Sequence, residues 1–239
     1  MTYRFTTPVQ ASAATGWTAE VYRQMSDDFL GPLPTFQVLA AVPEVLAATW
    51  ALMREALLAG DASRVERELV AAAVSRANRC RFCLDAHAML LHALGEPKLA
   101  EVIVRDGTPP QPGYAALVDW AQASRNPTAS DWTSPYRPEV TGTLLAFHVI
   151  NRIVSALLDP DLLPGGLQRS PLVRSVGTRI ALLAAFAPSA ITVGDVALWR
   201  LSHPGDADLV RLVAYGAITA TEHIAQALTS AHPLGDHHA

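Results

Sequence analysis

Apolar residues recur with helical spacing along most of the chain. Alanine and leucine dominate these positions, β-branched runs are short, and no Asn-Gly or Asp-Gly pair separates two alternating segments. Strands therefore have little support. The pattern predicts an all-α fold with helices at 19–29, 43–59, 62–77, 79–94, 98–105, 113–125, 138–158, 171–186, 193–201 and 206–231.

Proline and glycine interrupt the helical pattern at 31–34, 107–110, 160–166 and 204–205. These residues cannot continue a helix. The segments 126–138 and 159–170 are candidate linkers, but neither is long or polar enough to separate independent domains. We therefore expect a single helical unit over 1–239, with a Cys-x-x-Cys part at about 35–125 and a second helical half at about 136–232. The chain shows no strong internal repeat, and 68–87 and 139–158 share only a weak echo of the kind that a degenerate duplication leaves.

Composition excludes several classes of protein. The 239 residues are 50% hydrophobic and 17% charged, with a formal net charge of -4, which is typical of a folded globular chain. The mild acidity offers no basic stripe for nucleic acid. The longest apolar run, 180–193, is too short to span a bilayer, and the first residues lack the apolar core of a signal peptide. The expectation is a soluble cytoplasmic protein that binds neither nucleic acid nor membrane.

The candidate chemistry lies around the two cysteines of the chain, Cys80 and Cys83. Their spacing prevents them from linking distant parts of the fold. On a helix that begins near Arg79, Cys80, Cys83 and His87 lie at i, i+3 and i+7, which is one helical face. That face would hold two thiols and a base.

The residues before the cysteines favour a reactive thiol. Asn78 is a plausible N-cap, which would place Cys80 in the first helical turn, where free backbone N–H groups stabilise a thiolate. Three arginines add positive charge nearby, and together these features predict a lowered thiol pKa. The arginines are Arg76, Arg79 and Arg81.

Glu68 is the candidate carboxylate for this site. His87 can accept a proton from Cys83, and a carboxylate that reached the imidazole would orient it. Glu68 lies twelve residues before Cys80 on the preceding predicted helix. A solvated helix face with Arg64 and Arg67 is the structural alternative for this glutamate.

The segment resembles the AhpD-like, carboxymuconolactone decarboxylase superfamily. The shared pattern is a glutamate, eleven intervening residues and then Cys-x-x-Cys-x-x-x-His, with Ser75-x-x-Asn78 before the first cysteine. The match covers residues 64–95 and, more loosely, residues 43–57. Residues 147–152 also look like part of the second half of longer peroxidase-related members. The resemblance implies a helical homo-oligomer whose dithiol reduces hydroperoxides or passes electrons to a partner. It implies that Cys83 meets the peroxide, that Cys80 is its disulfide partner, and that Glu68 and His87 relay protons.

Phe82 departs from the family pattern, because some relatives carry a histidine between the cysteines. Members that act as decarboxylases lack the cysteine pair, so the superfamily name does not indicate decarboxylation here. Two other interpretations of Cys80 and Cys83 stay open: small core residues, and half of a structural zinc site. Covalent haem attachment is excluded because Leu84, not histidine, follows the second cysteine.

The resulting hypothesis is a thiol peroxidase and disulfide oxidoreductase that uses no organic cofactor and no metal. Its expected partners are a hydroperoxide, a thiol reductant or redox partner protein, and further copies of the chain, because apolar helices need cover on all sides. Thiol exchange at the helix start would instead favour attack by Cys80. The alternatives are a disulfide reductase or electron relay with little peroxidase activity, and a redox sensor or scaffold. His148 is expected to be a hydrogen-bonded core residue, and His92 a surface or interface residue.

Overall fold

The computed structural model describes residues 3–28, 31–126, 138–158 and 176–231. Within these ranges the chain forms helices and no strand, which confirms the all-α prediction. The α-helices are α1 (Gly16–Asp28), α2 (Pro34–Gln37), α3 (Pro43–Leu58), α4 (Arg64–Ala77), α5 (Arg81–Ala93), α6 (Pro97–Val104), α7 (Pro112–Ala123), α8 (Pro138–Leu157), α9 (Val176–Phe186), α10 (Val193–Arg200) and α11 (Asp206–Ala231). Short 3-10 helices lie at Ala11–Ala13 and Pro188–Ala190.

Each of the ten predicted helices has a counterpart, and most ends agree within three residues. Proline begins several of them, since its missing N–H costs nothing in the first turn and its fixed φ suits a helix. The pattern missed α2, a four-residue helix that begins at Pro34. The two candidate linkers and the start of the predicted helix at 171–186 lie largely outside the described residues.

The chain divides into two compact units. One contains residues 1–54 and 152–219, and the other contains residues 55–151 and 220–239. Neither matches a simple division at the middle of the sequence, because each unit combines two separate stretches of chain. The division into a Cys-x-x-Cys part at about 35–125 and a second helical half at about 136–232 stays a prediction.

The unit that contains residues 55–151 holds every candidate site residue. Its α4 packs against α5 and α7, and α5 packs against α6. Nine consecutive residues of α4, from Arg67 to Ser75, are buried. A helix covered on all sides needs small apolar residues, which the Ala71, Ala72 and Ala73 run provides.

The other unit is stabilised by specific polar contacts around its helices. Trp50 donates from its indole N–H to Gln24 Oε1 at 2.8 Å, and its ring meets Phe36 edge-on. A capping box begins α10, where Thr192 and Asp195 bond reciprocally. Such a box satisfies backbone N–H groups that the first helical turn leaves unpaired.

Among the described residues, α8 alone is long and apolar enough to be considered as a membrane span. Of its apolar window, 83% is buried inside the structure. A core helix of a folded domain gives the same signal, so this is weak evidence for a membrane.

Candidate functional site

Glu68 faces the protein interior from the buried stretch of α4 and is 0% exposed. Burial of a carboxylate is unfavourable unless both oxygens find partners. Arg64 Nε donates to Glu68 Oε1 at 2.7 Å, and His87 Nδ1 lies 2.7 Å from Glu68 Oε2. The carboxylate therefore bridges an arginine one turn earlier and a histidine on the next helix.

His87 lies on α5, one turn after Cys83, and is 5% exposed. The ring of Phe147 from α8 meets the imidazole edge-on, with centroids 4.4 Å apart. When Glu68 is ionised it can only accept hydrogen bonds, so Nδ1 carries the proton and Nε2 keeps its lone pair. This arrangement fixes the orientation of the His87 imidazole, as a carboxylate does in other histidine-assisted nucleophilic sites.

Cys80 and Cys83 are free thiols, each 3% exposed, and Cys80 Sγ donates to Cys83 Sγ at 2.8 Å. A disulfide has an S–S distance of about 2.05 Å. The two sulfurs therefore need to approach by less than an ångström, about 0.8 Å, to form one.

The turn between α4 and α5 differs from the prediction. Helix α5 begins at Arg81, so Cys80 is its N-cap, and Asn78 is the C-cap of α4 rather than the N-cap of the next helix. The reason is the backbone of Arg79, whose φ of 58° interrupts the helix and reverses the chain. The Cys80 N–H then donates to Ser75 O at 2.8 Å. Cys83, not Cys80, is in the first turn of α5.

Burial raises the pKa of the Cys83 thiol well above the ordinary range of a cysteine, and the neighbouring Cys80 raises it further. A side-chain hydrogen bond from Asn151 acts in the opposite direction. The lowered thiol pKa expected from the helix start was predicted for Cys80 and stays a prediction, whereas at Cys83 the apolar surroundings outweigh the helix N-terminus. Ionisation of Cys83 therefore requires a base.

The arginines near the cysteines are mostly paired with carboxylates. Arg76 lies 2.6 Å from Asp106, and Arg81 lies 2.8 Å from Asp85. Burial lowers the pKa of the Arg76 guanidinium, although the Asp106 carboxylate opposes this. The positive field expected from the sequence is accordingly smaller than the count of arginines indicates.

The structure brings together all four predicted site residues in one unit: Glu68 with His87, and Cys80 with Cys83. Their catalytic roles stay predictions. His148 is 0% exposed and hydrogen-bonded, as expected for a core histidine, and His92 is exposed.

Three further residues were not assigned to the site from the sequence. Arg64 pairs with Glu68, Phe147 packs on His87, and Asn151 donates to Ser75 Oγ in the helix before the cysteines. The i, i+4 spacing of Arg64 and Glu68 was a usable signal for the first pair. The other two come from α8, and nothing in the sequence places α8 beside the cysteines.

In the described parts of the chain, no group of three or more His, Cys, Asp or Glu side chains is arranged to hold a metal ion. The interpretation of Cys80 and Cys83 as half of a structural zinc site thus has no geometric support among the described residues. The described thiols instead contact each other directly.

Comparison with known proteins adds two findings. Residues 43–106 match the carboxymuconolactone decarboxylase family. The chain is also 39% identical over 177 residues to a protein of Mycobacterium tuberculosis named alkyl hydroperoxide reductase, an alignment that covers 71% of this chain and 50% of that relative. The chain thus spans about half the length of the relative it matches. No solved structure matches it significantly.

Proposed function

The chain belongs to the AhpD-like, carboxymuconolactone decarboxylase superfamily, and from this premise we propose that it reduces hydroperoxides through the dithiol of Cys80 and Cys83. The observation that carries the proposal is the site itself. Two free thiols in contact lie on the same helix as a histidine that a buried carboxylate orients. The name of the mycobacterial relative supports the same class of substrate.

The first step is attack on the peroxide. His87, oriented by Glu68, accepts the proton of Cys83, and the Cys83 thiolate attacks the terminal oxygen of the hydroperoxide. The O–O bond breaks, the alkoxide leaves as an alcohol after taking a proton from the imidazolium, and Cys83 becomes a sulfenic acid. A base is needed because burial holds the pKa of this thiol high.

The second step forms the disulfide. Cys80 attacks the sulfenic sulfur, an S–S bond forms, and the hydroxyl leaves as water. Two thiols and one hydroperoxide thus give one disulfide, one alcohol and one water, and the two electrons come from the sulfurs. An external dithiol or a redox partner protein then reduces the disulfide. No organic cofactor or metal takes part in this scheme.

Burial of the thiols favours a small oxidant over a protein disulfide. Cys80 and Cys83 expose 3% of their surface each, which leaves almost no area for a folded partner to reach the sulfurs directly. A hydroperoxide group is small enough to need only a local opening. Reduction by a partner protein would follow a larger local opening.

The decisive experiment compares reduced wild-type protein with Cys80→Ser and Cys83→Ser after addition of excess cumene hydroperoxide. Free thiol is followed over time, and mass spectrometry identifies the product. We expect an intramolecular disulfide in the wild type, a trappable sulfenic acid in Cys80→Ser and no fast reaction in Cys83→Ser. His92→Asn, at an exposed position, is the control.

The outcomes separate the alternatives. Persistence of thiols for hours in all three proteins contradicts peroxidase activity. Repeated consumption of peroxide with dihydrolipoamide as the donor supports an enzyme, whereas a single oxidation that changes the assembly state indicates a sensor. Rapid reduction of disulfides without peroxide turnover indicates an electron relay.

We also propose that copies of the chain assemble into a cytoplasmic homo-oligomer. Large apolar side chains are exposed in the unit that contains residues 152–219, with Val193 at 75% and Leu201 at 81%. Exposed apolar groups of this size are candidates for an interface between copies. Light scattering across a wide range of concentrations tests assembly, and a monomeric mass throughout contradicts it.

A further inference from the structure

Helix α11 exposes large apolar side chains on the face that a surface helix ordinarily makes polar. Tyr215 is 66% exposed and Ile218 is 47% exposed. A helix at a protein surface usually buries one apolar stripe and directs charged residues outward. The outer face of α11 therefore has the composition of a contact surface.

Two stripes of residues run along opposite sides of α11. The buried stripe is apolar, and each member is at most 5% exposed: Val213, Ala217, Ala220 and Ile224. The other stripe, here called the outer seam, lies about 160° around the helix and consists of Arg211, Tyr215, Ile218 and Glu222. Successive members of both stripes are four, three and four residues apart, which is the spacing of a and d positions in a coiled coil.

Opposite charges lie at the two ends of the outer seam. The Arg211 side chain is 59% exposed, and Glu222 is exposed as well. The point midway between these two residues is also midway between Tyr215 and Ile218. A half-turn rotation about this point exchanges Arg211 with Glu222 and Tyr215 with Ile218. The outer seam is therefore complementary to itself when two copies of α11 lie antiparallel.

The length of the outer seam suits such a pair of helices. Helices whose a and d residues interdigitate cross at about 20°, which keeps them in contact over several turns. The outer seam spans about 16 Å along the helix axis, at about 1.5 Å per residue. Over that distance Tyr215 would pack on Ile218 of the second copy twice, with an Arg211–Glu222 pair at each end.

Asp208 does not prevent this pairing. Its Oδ1 lies 3.5 Å from Arg211 Nη1, and both side chains are about half exposed, at 44% and 59%. An exposed ion pair of this kind contributes little to stability. The same half-turn rotation places Asp208 opposite Ala225 of the second copy, so it adds no repulsion between like charges.

Packing against α9 holds α11 in place. A Cβ added to Gly216 would collide with Ala181 O and lie 3.1 Å from Ala184 Cβ, so the two helices are in close contact. A surface that is rigid before association loses less conformational freedom when a partner binds. The outer seam is thus presented by a fixed helix.

We propose that α11 is a dimerisation surface, on which a second copy of this chain binds antiparallel through the outer seam. The inference rests on the assembly proposed above and names its surface, and it is independent of the dithiol chemistry. A contact of this kind uses the same patch on both copies and therefore closes a dimer by itself.

Charge reversal tests the pairing. Sedimentation velocity of the wild type over a wide range of concentrations should show self-association. Arg211→Glu and Glu222→Arg each place like charges opposite each other at both ends of the outer seam. Each should weaken self-association by at least about tenfold. The double variant that combines both substitutions should restore it.

An equimolar mixture of the two single variants gives a second readout. In a mixed dimer, the Arg211→Glu chain is acidic at both ends of the outer seam and the Glu222→Arg chain is basic at both ends. The mixture should therefore associate more tightly than either variant alone. Parallel pairing would place like charges together in the wild type, so association of the wild type and of the mixture identifies the antiparallel arrangement.

Arg105→Glu is the matched control. Arg105, like Arg211, is an exposed arginine that pairs with a carboxylate one turn earlier, here Glu101, but it follows α6. Its reversal should leave self-association unchanged. Ile218→Asp changes the apolar centre of the outer seam at a half-exposed position and should abolish self-association. Far-ultraviolet circular dichroism verifies that each variant is folded.

The outcomes are distinct. Equal self-association in the wild type and in every α11 variant overturns this surface but leaves assembly through another surface in place. A wild type that stays monomeric throughout overturns both the surface and the assembly. Weakened single variants whose mixture does not recover overturn the antiparallel pairing. None of these measurements contains peroxide, so failure of the proposed peroxidase activity would be seen separately in the thiol assay.

Discussion

Glu68 Oε2 lies 2.7 Å from His87 Nδ1, and the two side chains are 0% and 6% exposed. The pair joins α4 to α5 across the turn that contains the first cysteine. A buried carboxylate in contact with an imidazole fixes both the direction of the ring and the position of its proton. The contact therefore connects the packing of two helices to the chemistry proposed for the thiols.

Replacement of this carboxylate should slow peroxide reduction. Glu68→Gln keeps the shape of the side chain but removes its charge, so His87 loses the partner that stabilises its protonated form. We expect kcat to fall by about 10²-fold, in the range of general acid–base effects. Glu101→Gln is the matched control, because Glu101 forms an exposed i, i+4 pair with Arg105. Equal rates in Glu68→Gln and wild type would remove Glu68 from the mechanism.

The raised pKa of Cys83 also predicts how stability changes with pH. Burial favours the protonated thiol in the folded state. That contribution is complete below the unfolded thiol pKa of about 8.5 and is lost as pH rises above it, by up to about 1.4 kcal/mol per pH unit. Urea unfolding of reduced protein at pH 7, 8.5 and 9.5 should show the decline.

Cys83→Ala is the comparison for this measurement and should show a smaller decline over the same pH range. Tyr22, whose pKa burial raises to about 12, adds the same small decline near pH 9.5 to both proteins. Identical pH profiles for the two proteins would contradict a raised pKa at Cys83.

Two glycines with left-handed backbones should differ in their tolerance of a methyl group. Gly60 has φ +80°, and a Cβ there would lie 3.0 Å from both Arg67 Nη2 and the Glu139 carboxylate. Gly95 has φ +86°, and no heavy atom of another residue would lie within 4 Å of a Cβ at this position. Gly95→Ala should cost about 1 kcal/mol of backbone strain, and Gly60→Ala about 2 kcal/mol or more because of the added crowding.

Equilibrium unfolding in urea measures both variants under one condition. The Arg67 side chain is 2% exposed and pairs with Glu139, so displacement of this pair would leave a buried charge poorly matched. Equal losses of stability at the two glycines would show that Arg67 and Glu139 move to accommodate the methyl group without a further loss of stability.

Arg79 should be replaceable by glycine without loss of stability. Its φ of 58° is unfavourable for a residue with a Cβ, and Arg79→Gly should raise the free energy of unfolding by up to about 1 kcal/mol. Asp106→Gly is a useful contrast. Asp106 has a similar φ of 61° but pairs with Arg76 at 2.6 Å. Its replacement should therefore raise the free energy of unfolding by less than Arg79→Gly does, or lower it. Thermal unfolding of the reduced proteins gives the comparison.

The sequence predicted the elements of this fold because they depend on short-range physics. Helical spacing of apolar residues, prolines at helix starts and the absence of hairpin turns are all visible within windows of a few residues. The spacing of Cys80, Cys83 and His87 on one helix is local in the same sense. So is the sequence signal that Glu68 could reach the next helix across a short turn.

The errors arose where one residue in an unusual conformation decides the outcome. The left-handed backbone of Arg79 moved the start of α5 by two residues and changed the role of Asn78 from helix start to helix end. Arginine rarely adopts this conformation, so its identity gave no warning. The direction of the Cys83 pKa was likewise hidden, because it depends on burial.

By itself, the sequence determined the all-α class, the helix ranges and the residue types available for thiol chemistry. Only the tertiary structure decided that Phe147 of α8 packs on His87, that Arg64 and His87 share the Glu68 carboxylate, and that burial of Cys83 raises its pKa. The physical reason is the distance along the chain over which each kind of interaction acts. Backbone preference and i, i+4 spacing act along a few residues, whereas desolvation and hydrogen bonds between helices depend on which distant segments pack together.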